Sequence, residues 1–343
     1  MAKRPTISDL ARASGVSVAT VDRVLNGRLP VREETARRVC DAAADIGYHA
    51  AGLIEQRLRK ELPEFRLGFL LLRSKDGFYR TFADELERAM AQAQRFRGAA
   101  VIEFAESLEP EEMVERLSRL AGKCEAVALV SPDHPTLTAA VVDLKARGVP
   151  VFSLLSDFGA GVRAGYIGID NLKVGRTAAW MIAKCAPRTG KVALFVGSHR
   201  FHGHELREIG FRAFFRERAM DFTVLETLVN HESHESTHES LVGLLAGHED
   251  LVGCYVAGGG AEGAISAMRQ VKPARMPVVI CNEITADRRA ALAEGLVTMV
   301  INTPLPTLCR TLVDLMAGAV AAGASAVPSQ TFLPFDIFVP ESV

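Results

Sequence analysis

The sequence lacks paired cysteines and long uninterrupted apolar stretches. Its six cysteines stand singly between Cys40 and Cys309, without a CxxC pair. This excludes a disulfide framework or a zinc ribbon and fits a reducing compartment. No apolar run approaches the roughly 18 residues of a membrane span, and no apolar run follows the basic N-terminus as a signal peptide requires. We therefore expect a soluble cytoplasmic protein.

The sequence also lacks the local patterns of several enzyme classes. It has no nucleophile elbow, no Ser-His-Asp order and no phosphate loop, because the run Gly258-Gly259-Gly260 has neither GxGxxG nor GxxxxGK spacing. We predict no cofactor, no metal and no enzymatic activity. An enzyme on an α/β scaffold, using Asp133, Asp157 and Arg207 for acid-base work, is the less favoured alternative.

Charge is distributed unevenly along the 343 residues, whose formal net charge is -1. Residues 1–60 carry eleven Lys and Arg against seven Asp and Glu, a net of +4, so the remainder sums to -5. Only the N-terminal part therefore suits a polyanionic partner.

The first fifty residues predict three short helices. Thr6 starts the first with a capping-box pattern and Gly15 ends it, while Ser17 caps a second that stops at Asn26. A third helix is expected over about 32–46. The turn at 13–16 sets the second helix across the first, as in a helix-turn-helix that enters the major groove. A plain three-helix bundle is the alternative interpretation.

The start of the second helix carries small side chains that permit a close approach to DNA. Ser17 and Thr20 are expected to bind phosphate, and Val18 and Ala19 to touch base edges. Arg23 is expected to reach a guanine or a phosphate.

From Leu67 onward, apolar runs of strand length alternate with amphipathic helical segments. Continuous apolar strands of this kind are typical of parallel sheets covered on both faces. The number of strands exceeds what one sheet usually holds, so we expect two similar doubly wound α/β subdomains that meet at a cleft.

The segment TISDLARASGVSVATVDRVLNG, followed by EETARRVCDAAADIGY, resembles the headpiece of the LacI/GalR family of bacterial transcription regulators. The rest resembles that family's effector domain, which is similar to type I periplasmic sugar-binding proteins. The resemblance implies a headpiece over 1–48, a hinge over 49–65 and an effector and dimerisation domain over 66–343. Its N-subdomain is expected at about 66–157 and 284–324, and its C-subdomain at about 158–283 and 325–343.

The resemblance further implies a nucleoid-associated regulator that binds a pseudo-palindromic operator as a homodimer, with a tetramer as the alternative. Repression by a protein that senses a sugar or polyol is expected. An activator, or a sensor of a non-sugar metabolite, is the alternative.

Family positions place Val18, Ala19 and Arg23 at bases, and Thr6, Ser17, Thr20 and Asn26 near the backbone. Two features depart from the family. Asp22 stands where a serine is usual, beside the phosphates that a carboxylate would repel.

The connector departs as well, because Ala50-Ala51 replaces a Pro-Asn pair. Arg57 occupies the position of the leucine that enters the minor groove, and Leu58 follows one residue late. Leu58 is the predicted wedge. A flexible linker is the alternative.

Residues just after each strand are the candidates for ligand binding, because open α/β sheets bind ligands there. The predicted set is Phe78, Tyr79, Asp133, Asp157, Asp170, Arg207, Gly259, Glu283 and Asn302. Arg207 and Asn302 also match a ligand-binding arginine and an amide of the family.

Four of these candidates also have a purely structural interpretation. Asp170 is equally suited to cap the next helix, Asp157 to hold a turn, Phe78 to lie in the core, and Arg207 to pair with a surface glutamate.

Two positions in the sensor are unlike those of common sugar binders. Gly258-Gly259-Gly260 stands where an Asn-Asp pair usually recognises hydroxyls, which predicts room for a larger ligand or contact through backbone amides. Glu283 stands where Asp is usual. His231, His234 and His238 have a spacing that can bind Zn²⁺, but the polar segment HESHESTHES favours a solvated helix start.

Overall fold

Three helices open the chain in the computed structural model, which describes residues 4–26, 31–54, 56, 62–218, 221–323 and 327–343. They are α1 (Ile7–Ser14), α2 (Val18–Asn26) and α3 (Glu33–Asp45). Thr6 forms the predicted capping box with Asp9, and Gly15 ends α1 at φ 65°, a left-handed conformation that glycine adopts without a Cβ clash.

The apolar core of this helical part extends past residue 48, where the headpiece was expected to end. Leu10, Val21 and Val39 are fully buried in it, and Ile54 joins them at 1% exposure. Residues 51–54 and 56 are helical. The helical core therefore continues past the expected limit, with Ile54 buried in it and Ala50 and Ala51 packed against it.

Thirteen strands of the described residues form two sheets. The strands are β1 (Glu64–Leu72), β2 (Arg97–Ala105), β3 (Ala126–Leu129), β4 (Val151–Leu154), β5 (Gly165–Ile169), β6 (Lys191–Val196), β7 (Thr223–Val224), β8 (Leu228–Val229), β9 (Leu251–Val256), β10 (Val278–Asn282), β11 (Met299–Asn302), β12 (Ser329–Leu333) and β13 (Asp336–Phe338). The first sheet has the order β12-β5-β4-β3-β1-β2, and the second β13-β11-β10-β9-β6-β7, with β8 also paired to β6.

Helices connect the strands. They are α4 (Gly77–Gln92), α5 (Pro110–Ala121), α6 (Pro135–Ala146), α7 (Asn171–Cys185), α8 (His202–Glu217), α9 (His234–Gly247), α10 (Ala261–Val271), α11 (Ala286–Ala293) and α12 (Leu305–Ala322), with a final 3₁₀ turn (Pro340–Ser342). In the second sheet only β13 runs antiparallel to its neighbour. This confirms the predicted fold class, an all-α headpiece followed by two parallel-sheet α/β subdomains. We call the subdomains built on the first and second sheets the first and second lobes.

The chain passes between the lobes at places that the predicted subdomain limits miss. β5 and β12 pair with each other in the first sheet, although 158–169 and 325–333 were assigned to the C-subdomain. β11 pairs with β10 in the second sheet, although 284–302 was assigned to the N-subdomain. An apolar strand pattern indicates that a strand is buried, but not which sheet it joins.

Among the described residues, one helix is long and apolar enough to span a membrane, by length and composition alone. It is α12, which packs against β3 and β5 and buries Leu308, Leu312 and Met316. A core helix satisfies the same criterion.

The two lobes lie in one compact unit over 66–90 and 99–343, and the other unit comprises 1–65 with 91–98.

Candidate functional site

The solvent side of α2 carries the residues predicted to read DNA. Ala19, Arg23 and Asn26 are exposed and spaced to share one helix face, while Val21 and Val24 are buried on the other. Val18, at the start of the helix, is 45% exposed. Apolar spacing therefore orients the helix so that its polar and small side chains face solvent.

Local hydrogen bonds hold the start of this face. The Thr20 amide donates to Ser17 Oγ at 3.1 Å, and the two hydroxyl oxygens lie 2.9 Å apart. This supports the prediction that Ser17 caps α2. Thr6, also exposed, binds Asp9 in the capping box.

Asp22 and Asn26 bind each other one turn apart. Asn26 Nδ2 donates to Asp22 Oδ1 at 2.6 Å. The carboxylate that departs from the family pattern therefore orients an amide predicted to lie near phosphate. The predicted wedge Leu58 and its neighbour Arg57 lie outside the described residues.

A cleft lies between the lobes at the carboxyl ends of strands from both sheets, as expected for ligand sites of α/β folds. It encloses about 670 Å³ of empty space, including its open mouth. Five of the nine predicted ligand residues line it: Phe78, Tyr79, Arg207, Gly259 and Glu283. The Phe78 and Tyr79 rings meet edge to face, with centroids 5.2 Å apart.

The other four predicted residues are engaged elsewhere and do not line this cleft in the described structure. Asp170 caps α7 by accepting from the Lys173 amide at 3.1 Å. Asp133 Oδ1 accepts from the Gly159 amide, and Asn302 Oδ1 from the Ile284 amide.

Asp157 forms a buried ion pair. Its two carboxylate oxygens lie 2.5 and 2.6 Å from Nε and Nη2 of Arg163, which is 7% exposed. Ser153 also donates to it, at 2.7 Å, and Arg163 donates to the Ser329 carbonyl on β12. The pair therefore ties a turn to the edge of the first sheet, which agrees with the structural interpretation of Asp157.

Arg207 is a buried guanidinium held in a fixed orientation. Its Nε donates to Asn171 Oδ1 at 2.7 Å and its Nη1 to the Ala257 carbonyl at 2.6 Å. Within the described residues, no carboxylate lies within 4.0 Å of it; this excludes the surface ion pair considered for it. Its remaining donors suit ligand oxygens in the cleft.

Glu283 offers acceptors in the same cleft. It has φ 62°, and its carboxylate accepts from the Thr303 amide at 3.0 Å and the Thr303 hydroxyl at 2.8 Å. Burial raises the pKa of Glu283, and Arg207 opposes that rise.

Five charged or titratable residues of the cleft were absent from the predicted set: Arg73, Asp76, His204, Glu232 and Arg288. Arg73 directly follows β1, so a search of the residues just after each strand could have found it, whereas Arg288 lies within α11, six positions after the end of β10. Glu232 was hidden in the segment interpreted as a solvated helix start, because nothing local shows that its carboxylate is buried.

The glycine run makes room for protein side chains, which corrects the expectation of added space for ligand. A Cβ on Gly258 would lie 2.7 Å from His204 Cε1, and a Cβ on Gly259 would lie 2.8 Å from Glu232 Cβ. Both distances are too short for real Cβ contacts. The side chains missing at 258–259 are thus replaced by His204 and Glu232.

His204 is neutral in the folded protein. Burial, and to a smaller degree Arg207, lowers its pKa from 6.5 to about 3. Its Nε2 lies 3.7 Å from Glu232 Oε1, and at neutral pH this is a contact of an uncharged ring.

This burial predicts a pH-dependent stability. The unfolded chain binds a proton at His204 below pH 6.5, which the folded chain does not until about pH 3. Stability from this group is therefore complete above pH 6.5 and is lost as the pH falls. Between pH 7.5 and 5, the free energy of unfolding should fall by about 2 kcal/mol more in the natural protein than in His204→Gln. Chemical denaturation at both pH values measures this, and equal falls would contradict it.

Both the helical N-terminal part of the chain and its α/β part match known protein families. Residues 6–50 match "Bacterial regulatory proteins, lacI family", and residues 67–324 match "Periplasmic binding protein domain". An uncharacterized HTH-type transcriptional regulator of Streptomyces limosus is 27% identical over 210 residues, 60% of this chain and 57% of that protein. The chain thus spans little more than half the length of this relative. The ribose operon repressor of Bacillus subtilis is 39% identical over 87 residues, 24% of this chain and 26% of that protein.

Among solved structures, an ABC transporter solute binding protein from Agrobacterium vitis, bound with alpha-D-tagatopyranose, has the same fold. It aligns with a TM-score of 0.73 at 20% identity, covering 81% of this chain and 95% of the other. With its two-lobed α/β region, the chain belongs to the periplasmic binding protein domain family over residues 67–324, and it carries a helix-turn-helix domain of the lacI family of bacterial regulatory proteins at residues 6–50.

Proposed function

We propose that the chain is a sequence-specific transcription regulator, a repressor, whose affinity for its operator is controlled by a sugar or polyol in the interlobe cleft. The observation that carries the proposal is one chain with both an exposed α2 reading face and a cleft lined by an oriented, buried guanidinium. The related regulators support the proposed DNA binding, and the sugar-bound solute binding protein supports the proposed effector class.

The effector class follows from the chemistry of the cleft. Arginine donors and carboxylate acceptors lie beside the aromatic pair Phe78–Tyr79. A sugar presents hydroxyl groups that can bind the arginines and carboxylates, and C–H faces that can pack on the aromatic rings. Binding to both lobes would favour their closed arrangement. The same groups suit acid-base chemistry less, because Arg207 and Glu283 are already fixed by protein partners.

Assembly and location complete the proposal. A homodimer with two headpieces reads a pseudo-palindromic operator in the cytoplasm, because a two-fold axis relates the two half-sites.

The direct test is selection of bound sequences from random double-stranded DNA, followed by binding measured against salt concentration. We expect a palindromic consensus, an affinity that falls steeply with salt, and a change of affinity when the effector is present. Thermal shift against sugars and polyols identifies that effector. If the selection retains no specific DNA sequence above nonspecific competitor, the proposal that the chain is a regulator is refuted.

Replacing Arg23 by alanine should weaken binding to the selected operator by roughly 5- to 150-fold, as expected for loss of one base contact of 1–3 kcal/mol. Binding to nonspecific DNA should change much less, which fluorescence anisotropy can show. Arg38→Ala is the matched control, since Arg38 is an exposed arginine on α3. Equal losses for both variants would mean that Arg23 contributes only charge.

A further inference from the structure

We propose that Glu232 selects the effector by charge. Its carboxylate, together with Arg73 from the other lobe, matches the cleft to an uncharged polyhydroxylated molecule and disfavours a sugar acid. This inference rests on the proposed effector function and adds the residue that sets the charge of the ligand.

The backbone around Glu232 is held in a conformation that these residue types rarely adopt. His231 and Glu232 have φ 51° and 55°, in the left-handed region. Asn230, 1% exposed, holds them there: its Oδ1 accepts from the Glu232 amide at 2.8 Å, and its Nδ2 donates to the Gly259 carbonyl at 2.9 Å. Strain maintained by a buried side chain indicates that the placement of Glu232 matters.

Contacts from both lobes fix the carboxylate itself. Arg73, which follows β1 in the first lobe, lies 3.1 Å from Glu232 Oε2 and donates to the backbone carbonyls of Glu232 and His231, also at 3.1 Å. On the second lobe, the Gly259 amide approaches Oε1 at 3.4 Å. The carboxylate therefore stands over the glycine run, where it supplies an acceptor that glycine lacks.

The charges of the cleft are balanced. Three guanidinium groups line it, on Arg73, Arg207 and Arg288, together with three carboxylates, on Asp76, Glu232 and Glu283. Hydroxyl groups both donate and accept, so they satisfy such a mixed lining without adding charge. A ligand carboxylate would add an anion to a buried site in which Arg73 is already paired to Glu232 and Arg288 to Glu262. Arg207 is the lining arginine without a carboxylate within 4.0 Å among the described residues; it is held by Asn171 and the Ala257 carbonyl, and its charge acts at longer range on Glu283.

Neutralising Glu232 should reverse the preference. In Glu232→Gln the side chain keeps its size, but Arg73 loses its anionic partner and the cleft gains one positive charge. We therefore expect the variant to bind a neutral sugar at least tenfold more weakly than the natural protein and to bind the corresponding sugar acid at least tenfold more tightly.

The experiment is a thermal-shift titration of the full chain against matched pairs: aldoses or sugar alcohols, each beside its aldonic or uronic acid. The natural protein, Glu232→Gln and Glu249→Gln are compared, since Glu249 is an exposed carboxylate outside the cleft. Gly259→Ala, whose Cβ presses on Glu232, tests the same placement without changing any charge and should weaken neutral ligands without a gain for acids.

The outcomes separate this inference from the proposed function. Equal stabilisation of the natural protein and Glu232→Gln by neutral sugars, or a preference of the natural protein for acids, overturns charge selection but leaves the sugar-controlled regulator standing. If no compound shifts the melting temperature or DNA affinity of the natural protein, the effector proposal fails and charge selection fails with it. A ligand-free melting temperature and operator affinity close to the natural values show that Glu232→Gln is folded.

Discussion

Replacing Asp157 by alanine should lower the free energy of unfolding by about 3–5 kcal/mol, the usual effect of removing one partner of a buried ion pair. Arg163, 7% exposed, would keep its charge while losing both of its carboxylate contacts. The Ser153 hydroxyl would lose its acceptor as well. Urea unfolding followed by circular dichroism measures the change.

A helix-cap variant gives the scale against which the effect of Asp157→Ala is compared. Asp170→Ala removes a helix cap and should cost about 1 kcal/mol. If Asp157 instead contacts the effector, Asp157→Ala would keep near-natural stability and lose effector affinity. That result would contradict the structural assignment.

Replacing Arg207 by lysine should weaken effector binding by about 2 kcal/mol or more, roughly 30-fold, although the positive charge is kept. A lysine ammonium lacks the planar fork by which Arg207 reaches Asn171 Oδ1 and the Ala257 carbonyl while presenting further donors to the cleft. Operator affinity without effector should stay unchanged, so the variant should respond poorly to the effector. Isothermal titration with the effector and DNA-binding assays measure the two effects.

Arg212→Lys is the matched control. Arg212 lies on the same helix, α8, but bonds to Glu208 and to the Leu225 carbonyl, outside the cleft lining. An equal loss of effector affinity in both variants would show a general disturbance of α8 and would refute a specific role for Arg207.

The local signals of the headpiece were sufficient to predict its helices. The capping box at Thr6, the left-handed Gly15 and the Ser17 cap are all satisfied by residues within four positions along the chain. Interactions of such short range can be inferred from spacing alone.

The expectation that ligand residues lie just after the strands, by contrast, could not separate ligand candidates from structural residues. Asp157 and Asp170 follow strands as Arg207 and Glu283 do, but each finds a partner within six positions, Arg163 for one and the Lys173 amide for the other. A carboxylate whose hydrogen bonds are made by residues nearby in the chain does not have to face the cleft to be satisfied. The sequence contains both partners, but does not show which contacts form.

By itself, the sequence determined that this chain has a helix-turn-helix and a two-lobed α/β region, because helical spacing, caps and apolar strands are local properties. Only the tertiary structure decided which sheet each late strand joins and which charges meet in the cleft. Arg73 and Glu232 are 159 positions apart, and they meet because the chain returns between two lobes, an arrangement that no local pattern contains.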